Sequence, residues 1–402
     1  MENIILFVYE LFYIVLMSYG VYFAIISAAS FLRKKSYTDT DKRLRFAVVV
    51  AARNEQRCIS GIIESIKKQN YPDDLIDIYV VPNNCTDDTE LVAKRNGAEI
   101  IEVSSSVKSK GAALKEAFRY LLENENHDAY CVFDADNEAD KDFIFNMNKV
   151  LCSGVRVAKS RIFAKNRYDS WVSTCYDIHF CNANFLINRA RENIGLSSRL
   201  IGTGFALRRD VLVEKGGWNT ETLTEDAEIY ASLCAEGERI AFAGDAVTYD
   251  EEPITFFESI VQRRRWMSGI MDVAFIKSRA LVDGAANGRG GMIALDAFLQ
   301  LSFSVIQAFI IPMFILWLSV DIYGGLSAVL PAALRFYIAS LAVGAISLAA
   351  EDRLDKRTFK GFVMYPVFVF SFLVLQTFSI MVPNKKWKPM IHRGMRIYES
   401  GR

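Results

Sequence analysis

The sequence predicts an α/β domain held at a membrane by apolar helices, and three observations carry that expectation. Between residues 42 and 250 short apolar runs alternate with segments of helical period, the pattern of a parallel sheet with crossover helices. Long apolar stretches occupy both ends of the 402-residue chain. Polar clusters close successive apolar runs, and open α/β sheets bind ligands beyond the carboxyl ends of their strands.

Composition narrows the classes. The formal net charge is zero, so nothing draws the chain as a whole to nucleic acid, and no nucleic-acid partner is expected. Seven cysteines include no Cys-x-x-Cys pair and sit in apolar or helical contexts, as reduced thiols facing a cytosol do. His127, His179 and His392 have no ligand spacing, which argues against zinc.

Ile4–Phe31 carries Glu10 as its one charge and exceeds the roughly 20 residues that span a bilayer. It is too long for a signal-peptide core and has no basic stretch before it, so residues 1–32 are expected to remain as a transmembrane helix. Arg33, Lys34 and Lys35 place the chain beyond them in the cytoplasm.

The domain itself is expected over residues 42–252. Its first strand, Phe46–Ala52, ends in Arg53-Asn54-Glu55, and a helix with Ile59, Ile62, Ile63 and Ile66 on one face comes next. A second strand, Ile76–Val81, runs into Asn83-Asn84-Cys85-Thr86-Asp87-Asp88-Thr89, with Thr86 as helix N-cap and the two acids in the first turn. Ile100–Val103 is a short third strand, and Lys108-Ser109-Lys110-Gly111 opens a helix through Leu114, Phe118 and Leu121. Cys131-Val132-Phe133 then reads as a buried strand delivering Asp134 and Asp136. Mg²⁺ is held by one or two carboxylates plus substrate phosphates, so this pair, a lysine and Asn/Asp acceptors in one crevice suit a nucleotide diphosphate with its metal.

Past Asp136, Val155–Phe163 is a strand and Tyr168–Arg191 a long aromatic-rich helix. Gly202-Thr203-Gly204 is a small-residue turn into a strand, and the loop Gly216-Gly217-Trp218-Asn219 offers an aromatic to stack on a sugar. Thr224 caps a helix with Glu225 and Asp226 at its positive end. Residues 253–290 hold an amphipathic interface helix, Ser259–Met271 with Gln262-Arg263-Arg264-Arg265-Trp266, suited to a lipid surface. Three spans are expected within residues 291–384: Met292–Val320, Leu330–Ala350 and Gly361–Val382. Arg353, Lys356, Arg357 and Lys360 make the last connection cytoplasmic. Three crossings then put the basic tail 385–402, with Lys385-Lys386-Trp387-Lys388, outside; either one segment is re-entrant or the positive-inside rule fails here.

Taken in order, Ala51-Ala52-Arg53-Asn54-Glu55, Asn84-Cys85-Thr86-Asp87-Asp88-Thr89, Lys110-Gly111-x-Ala113-Leu114, Asp134-Ala135-Asp136, Gly202-Thr203-Gly204, Thr224-Glu225-Asp226 and Gln262-Arg263-Arg264-Arg265-Trp266 resemble a membrane-embedded family 2 glycosyltransferase of the cellulose synthase, hyaluronan synthase and poly-N-acetylglucosamine synthase group. The likeness covers roughly residues 45 to 270. It implies a nucleotide-diphospho-sugar transferase domain (Rossmann-like, GT-A type) joined to transmembrane α-helices, in the plasma membrane, with the catalytic domain cytoplasmic.

The implied reaction is inverting, metal-dependent transfer of a hexose from a UDP-sugar to a growing polysaccharide, with single-sugar transfer to a lipid-linked or short acceptor as the alternative. Few spans favour the alternative; Gln-x-x-Arg-Trp favours the polymer. On the resemblance, Asp136 ligates Mg²⁺ or Mn²⁺ with Asp134 beside it, and Asp226 is the general base, with Glu225 as its rival. Ala52, Asn54, Glu55, Asn83, Asn84, Lys110, Asp134, Gln262, Arg265 and Trp266 contact the donor, Arg265 as a charge-assisted fork on the diphosphate. Gly202, Thr203, Gly204 and Trp266 face the acceptor. The chain departs from the pattern at Pro82-Asn83-Asn84, where relatives commonly have an aspartate; Asn83 accepts a bond from a base without charge assistance. Membrane lipids are implied partners, together with a second copy of the chain or an accessory export subunit. A non-catalytic assembly partner would be expected to lack Asp136 or Asp226, and both are present.

Overall fold

The valines of the first strand are buried on both faces, as the centre of a helix-covered sheet demands. The computed structural model of the chain describes residues 2–384 and 393–394, so the basic tail expected at 385–402 lies almost wholly outside the described residues. After α1 (Glu2–Ala28) come β1 (Phe46–Ala52), α2 (Ile59–Lys67), β2 (Ile76–Pro82), α3 (Thr89–Arg95), β3 (Glu99–Ile100), α4 (Lys110–Asn124) and β4 (Ala129–Asp134). Next are β5 (Glu138–Ala139), α5 (Phe143–Cys152), β6 (Val157–Ala164), α6 (Trp171–Asn182), α7 (Ala190–Asn193), β7 (Phe205–Arg208), α8 (Arg209–Glu214), α9 (Glu225–Ala235) and β8 (Ile240–Asp250).

The strands form one eight-stranded sheet in the order β3-β2-β1-β4-β7-β6-β8-β5. Alternate residues of β1 feed two cores. Ala47 and Val49 pack with Leu114, Phe118 and Leu121 of α4, while Phe46, Val48 and Val50 pack with the isoleucines of α2 and with Phe143, Ile144 and Met147 of α5. Register sets Asp134 opposite Ala51, so the last residue of β4 emerges at the carboxyl end of the parallel block.

Several expectations shift. The sheet is mixed, not parallel: β7 runs antiparallel to both β4 and β6, and β5 to β8. The third strand shrinks to Glu99–Ile100. α3 starts at Thr89, not after Thr86, because Asp87 accepts from the Thr89 amide at 3.1 Å and the Thr86 amide is taken by Asn54 Oδ1 at 2.7 Å. The long helix expected over Tyr168–Arg191 is interrupted by a π-helical segment, Ala183–Arg189, whose Asn184 bonds the Ile162 backbone through N–H and C=O. Trp218 is wholly buried, stacked between Phe118 (5.4 Å) and Phe205 (6.0 Å), and meets no sugar.

The carboxyl-terminal part holds α10 (Phe256–Ala286), α11 (Gly291–Gln307), α12 (Ile310–Val320), α13 (Ile322–Ala350) and α14 (Phe359–Met381). A capping box of Thr255 and Glu258 starts the 31-residue α10. It does not float on lipid alone. It packs on α9, α11 and α14, and Gly269 comes so near α9 that a Cβ there would stand 2.5 Å from Thr224.

Among the described residues three stretches are long and apolar enough to cross a membrane, Ile4–Phe31, Ile322–Ala350 and Lys356–Met381; α11 and α12 together make a fourth only as a pair bent by 44°. The single span expected over Met292–Val320 is therefore two helices. Asp296 and Gln300 of α11 are buried and tie that helix to the α/β domain. The start of α14 also meets that domain, and its end meets α10. Arg353, just before it, pairs with Asp177 at 2.9 Å, and past its end the Asn384 amide donates to Ser268 Oγ at 3.1 Å.

Candidate active site

Asp134 and Lys110 begin the site. Lys110, in the first turn of α4, puts its Nζ 2.6 Å from Asp134 Oδ1 and 3.0 Å from Glu225 Oε1, and donates to the Gly202 carbonyl at 2.9 Å. Burial works against its charge, but the two carboxylates outweigh it and hold the ammonium above its usual range. Burial also raises the Glu225 carboxyl, with Lys110 opposing. Glu225 is thus committed to the lysine.

Asp226 is placed differently. It is the second residue of α9, and its Oδ2 accepts from the Gly202 amide at 2.5 Å. Thr224 caps α9 by position, while its buried hydroxyl finds no partner among the described residues.

The turn Gly202-Thr203-Gly204 links the two halves of the site. Gly202 (φ +53°) and Gly204 (φ +63°) adopt the left-handed backbone that glycine allows. Thr203 Oγ1 accepts from the Asp134 amide at 3.0 Å and donates to Asn137 Oδ1, and the Thr203 carbonyl receives Lys159 Nζ at 2.7 Å. Lys159 is fully buried, and that burial pushes its ammonium down to about 7. Asp136 is buried at the same end of the sheet. Its neighbour Asp250 ends β8 and accepts from Asn137 Nδ2 at 2.7 Å, and burial, then Asp136, raises its carboxyl well above the usual range.

One cavity of about 720 Å³ gathers these groups. Ala52, Glu55, Asn83, Lys110, Asp134, Asp136, Gly202, Thr203, Glu225, Asp226, Gln262, Arg265 and Trp266 all line it. Gln262 is oriented by Tyr176, whose hydroxyl donates to its Oε1 at 2.6 Å, and Trp266 sets its edge on the same tyrosine at 5.9 Å. Asn54, Asn84 and Gly204 are not among the lining residues. Asn54 (φ +60°) clasps the loops after β1 and β2; Asn84 donates to the Val107 carbonyl and to Asn83 Oδ1; Gly204 packs against Ser160 and Thr248, where a Cβ would stand within 2.8 Å.

The cavity continues among the apolar helices, to Gly20, Phe23 and Ser27 of α1, Phe303 and Gln307 of α11, Phe336 of α13, and Phe372 and Gln376 of α14. Sequence reasoning missed Lys159, Asp250 and Arg199, which also line or adjoin it. A signal existed for two of them: Lys159 is a cation inside an apolar strand, and Asp250 is an acid at a strand end, as Asp134 is.

Residues 43–269 match the family model described as "Glycosyltransferase like family 2". A probable glycosyltransferase of Bacillus subtilis (strain 168), YdaM, is 27% identical over 236 residues, 56% of this chain and 55% of that protein. A beta-monoglucosyldiacylglycerol synthase of Nostoc sp. is 26% identical over 235 residues, 56% of this chain and 48% of that protein. The chain thus spans about half the length of these curated relatives. In structure, the mannosyltransferase PcManGT from Pyrobaculum calidifontis, solved in complex with GDP-Man and Mn²⁺, superposes with a TM-score of 0.61 at 18% identity, covering 93% of this chain and 99% of that one. That likeness gives the fold: a GT-A-like, Rossmann-type mixed sheet.

Proposed function

As the chain belongs to glycosyltransferase family 2, we propose that it transfers a hexose, with inversion and with a bound divalent cation, from a UDP-sugar to an acceptor held at a membrane. One observation carries the reading. Asp134, Asp136 and Lys110 share a cavity with Asp226, whose carboxylate is aimed by the Gly202 amide.

Asp136 and Asp134 are the residues to hold Mg²⁺ or Mn²⁺. They offer hard oxygen donors in one cavity, beside an Asp250 carboxyl that burial, and then Asp136, raises well above its usual range. Among the described residues no three His, Cys, Asp or Glu side chains make a metal cage by themselves, which suits a cation completed by the donor's diphosphate. The Mn²⁺ and GDP-Man named with PcManGT agree. Such a cation, when bound, neutralises charge on a departing diphosphate.

The protein's own groups would do the rest. Asp226 takes the proton of the acceptor hydroxyl as its oxygen bonds to the anomeric carbon, and the bond from that carbon to the diphosphate oxygen breaks on the opposite face. Arg265 grips the leaving diphosphate, and Trp266 lies against the acceptor sugar. Asn83 contacts the base: one lone pair of its Oδ1 accepts from Asn84 at 3.0 Å, and the other remains for the uracil N–H.

Of the two acceptor classes, the geometry favours a lipid-linked one receiving a single sugar, because the cavity runs on between apolar helices and is walled there by Phe23, Phe303, Phe336 and Phe372. The name of the Nostoc relative fits it. The growing-polysaccharide reading keeps the support of Gln262-Arg263-Arg264-Arg265-Trp266. Either acceptor implies a multi-pass plasma-membrane protein with residues 42–252 in the cytoplasm, α10 and α11 at the interface, and a second copy or an export subunit as a further partner for the polymer. UDP release from UDP-glucose, UDP-GlcNAc, UDP-glucuronate and UDP-galactose in vesicles tests the donor. Product length then separates the acceptors, and a ladder of products would overturn single addition.

A further inference from the structure

Arg199 stands in this cavity without a carboxylate of its own. Two guanidiniums, Arg191 and Arg199, share a neighbourhood with one carboxylate, Asp296 of α11. Arg191 takes it in a fork, Nε to Oδ2 at 2.8 Å and Nη2 to Oδ1 at 2.9 Å. Tyr22 of α1 donates to Oδ1 at 2.7 Å and Gln300 Nε2 to Oδ2 at 2.8 Å, so four donors already fill its two oxygens. What is left for Arg199 is a neutral acceptor: its Nε donates to Gln300 Oε1 at 3.2 Å, and among the described residues no carboxylate stands within ion-pair distance. Burial and the nearby Arg191 hold its guanidinium below its usual range. His179, across the cavity, is pressed down to about 4 by burial and by Arg263 and Arg199, so it stays neutral. A half-buried guanidinium with no carboxylate partner, facing open space, calls for an anion.

The position says which anion. Arg199 lies three residues before Gly202, the residue that aims Asp226, and its backbone is pinned by Asn188 of the π segment, which accepts from the Arg199 amide at 3.0 Å. On the other side Gln300 begins the stretch of α11 that continues, through Phe303 and Gln307, along the apolar arm of the cavity beside Phe23 and Phe372. A ligand spanning the two needs a charged head and an apolar body.

We infer that Arg199 is the head-group subsite of the acceptor: it receives the phosphate of an anionic lipid whose chain occupies the arm between α1, α11, α13 and α14. This rests on reading the cavity as a sugar-transfer site with a membrane acceptor. The competing role is that of a cation kept only to orient Gln300.

The purified full-length chain in detergent, titrated by calorimetry with dioctanoyl phosphatidate, dioctanoylglycerol or inorganic phosphate, decides between them. Phosphatidate should bind about tenfold more tightly than dioctanoylglycerol, the worth of one charge-assisted bond, and inorganic phosphate should be weaker than both lipids. Arg199→Gln should erase the preference while UDP–Mn²⁺ binding is unchanged, and Arg199→Lys should retain part of it. Equal affinities for the two lipids, a preference surviving Arg199→Gln, or inorganic phosphate matching phosphatidate would overturn the inference. So would loss of UDP binding in both variants, since Arg199 would then serve the donor. Failure of the unaltered chain to bind UDP with Mn²⁺ would instead strike the donor-site reading.

Discussion

The Asp226 carboxylate accepts a 2.5 Å hydrogen bond from the Gly202 amide, whereas its neighbour Glu225 is paired with Lys110 at 3.0 Å. Two adjacent acids thus have different partners. A backbone amide orients a carboxylate without occupying both oxygens, leaving one to take a proton. Asp226→Asn should therefore lower transfer by about 10²–10⁴-fold, the usual worth of a general base, with UDP affinity unchanged. Glu225→Gln should act mainly on donor KM, because it frees Lys110 to draw on Asp134. Steady-state UDP release from the two variants checks this, and the reverse pattern would make Glu225 the base.

Lys159 predicts a pH signature. Its ammonium titrates near 7 in the folded chain against 10.5 when unperturbed, so between those values the unfolded chain holds a proton that the folded chain lacks. Stability from this group therefore rises with pH across the window and is flat below pH 7. Lys159→Met should remove that slope, with a constant offset for the lost bond to the Thr203 carbonyl. Denaturant midpoints at pH 7, 8 and 9 report it; parallel slopes in both proteins would refute it.

How much of this is legible in the sequence divides by physics. The acids, the lysine and the Gln-x-x-Arg-Trp run stand out because their chemistry demands particular residue types at a strand end or in a helix's first turn. The central strands show in unbroken apolar runs such as Val48-Val49-Val50. The reversal of β7 does not, because a four-residue strand after glycine carries no mark of direction. Nor does the Arg191–Asp296–Gln300–Arg199 network, whose members come from segments about a hundred residues apart. Asp296 and Gln300 look like two polar residues inside a span; their partners, not their neighbours in sequence, pull α11 onto the domain.

Trp218 shows the same limit at one residue. Between two glycines and an asparagine it reads as exposed, yet Phe118 of α4 and Phe205 of β7 enclose it. Trp218→Ala should cost about 3–5 kcal/mol of stability by opening a large cavity, and leave KM for donor and acceptor unchanged in whatever fraction stays folded. Thermal unfolding combined with kinetics at low temperature separates the two. A raised acceptor KM at unchanged stability would restore the sugar-stacking role.

The contacts past α14 bear on the side of the tail. Asn384 reaches Ser268, and Arg393 donates from its amide to Glu251 at 2.6 Å and from Nη2 to Glu258 at 3.2 Å. With the preceding loop also tied to Asp177, α14, one unbroken helix, should begin and end on the face that carries the α/β domain and lie along it instead of crossing. Asn384→Cys, in a background with Cys85 and Cys152 replaced by serine, should react with an impermeant maleimide in inside-out vesicles and stay unlabelled in right-side-out ones. The opposite labelling would make α14 a true crossing.

The arginine run of α10 separates into structural and chemical parts. Arg263 is fully buried, donating to Ser371 Oγ at 2.7 Å and lying over Phe368 and Phe372 at 4.1 and 4.6 Å, while one of its terminal nitrogens finds no partner among the described residues. Arg265, two residues on, faces the cavity beside Gln262 and Trp266. A helix turns by about 100° per residue, so residues two apart point to nearly opposite sides. Arg263→Ala should therefore loosen α14 from α10 and lower the melting temperature. Arg265→Ala should leave melting unchanged and weaken UDP binding by roughly ten- to a hundredfold, as loss of a charge-assisted fork does. Melting curves and UDP titrations on both variants test the division; equal loss of UDP affinity in the two would show that the run acts as one basic patch.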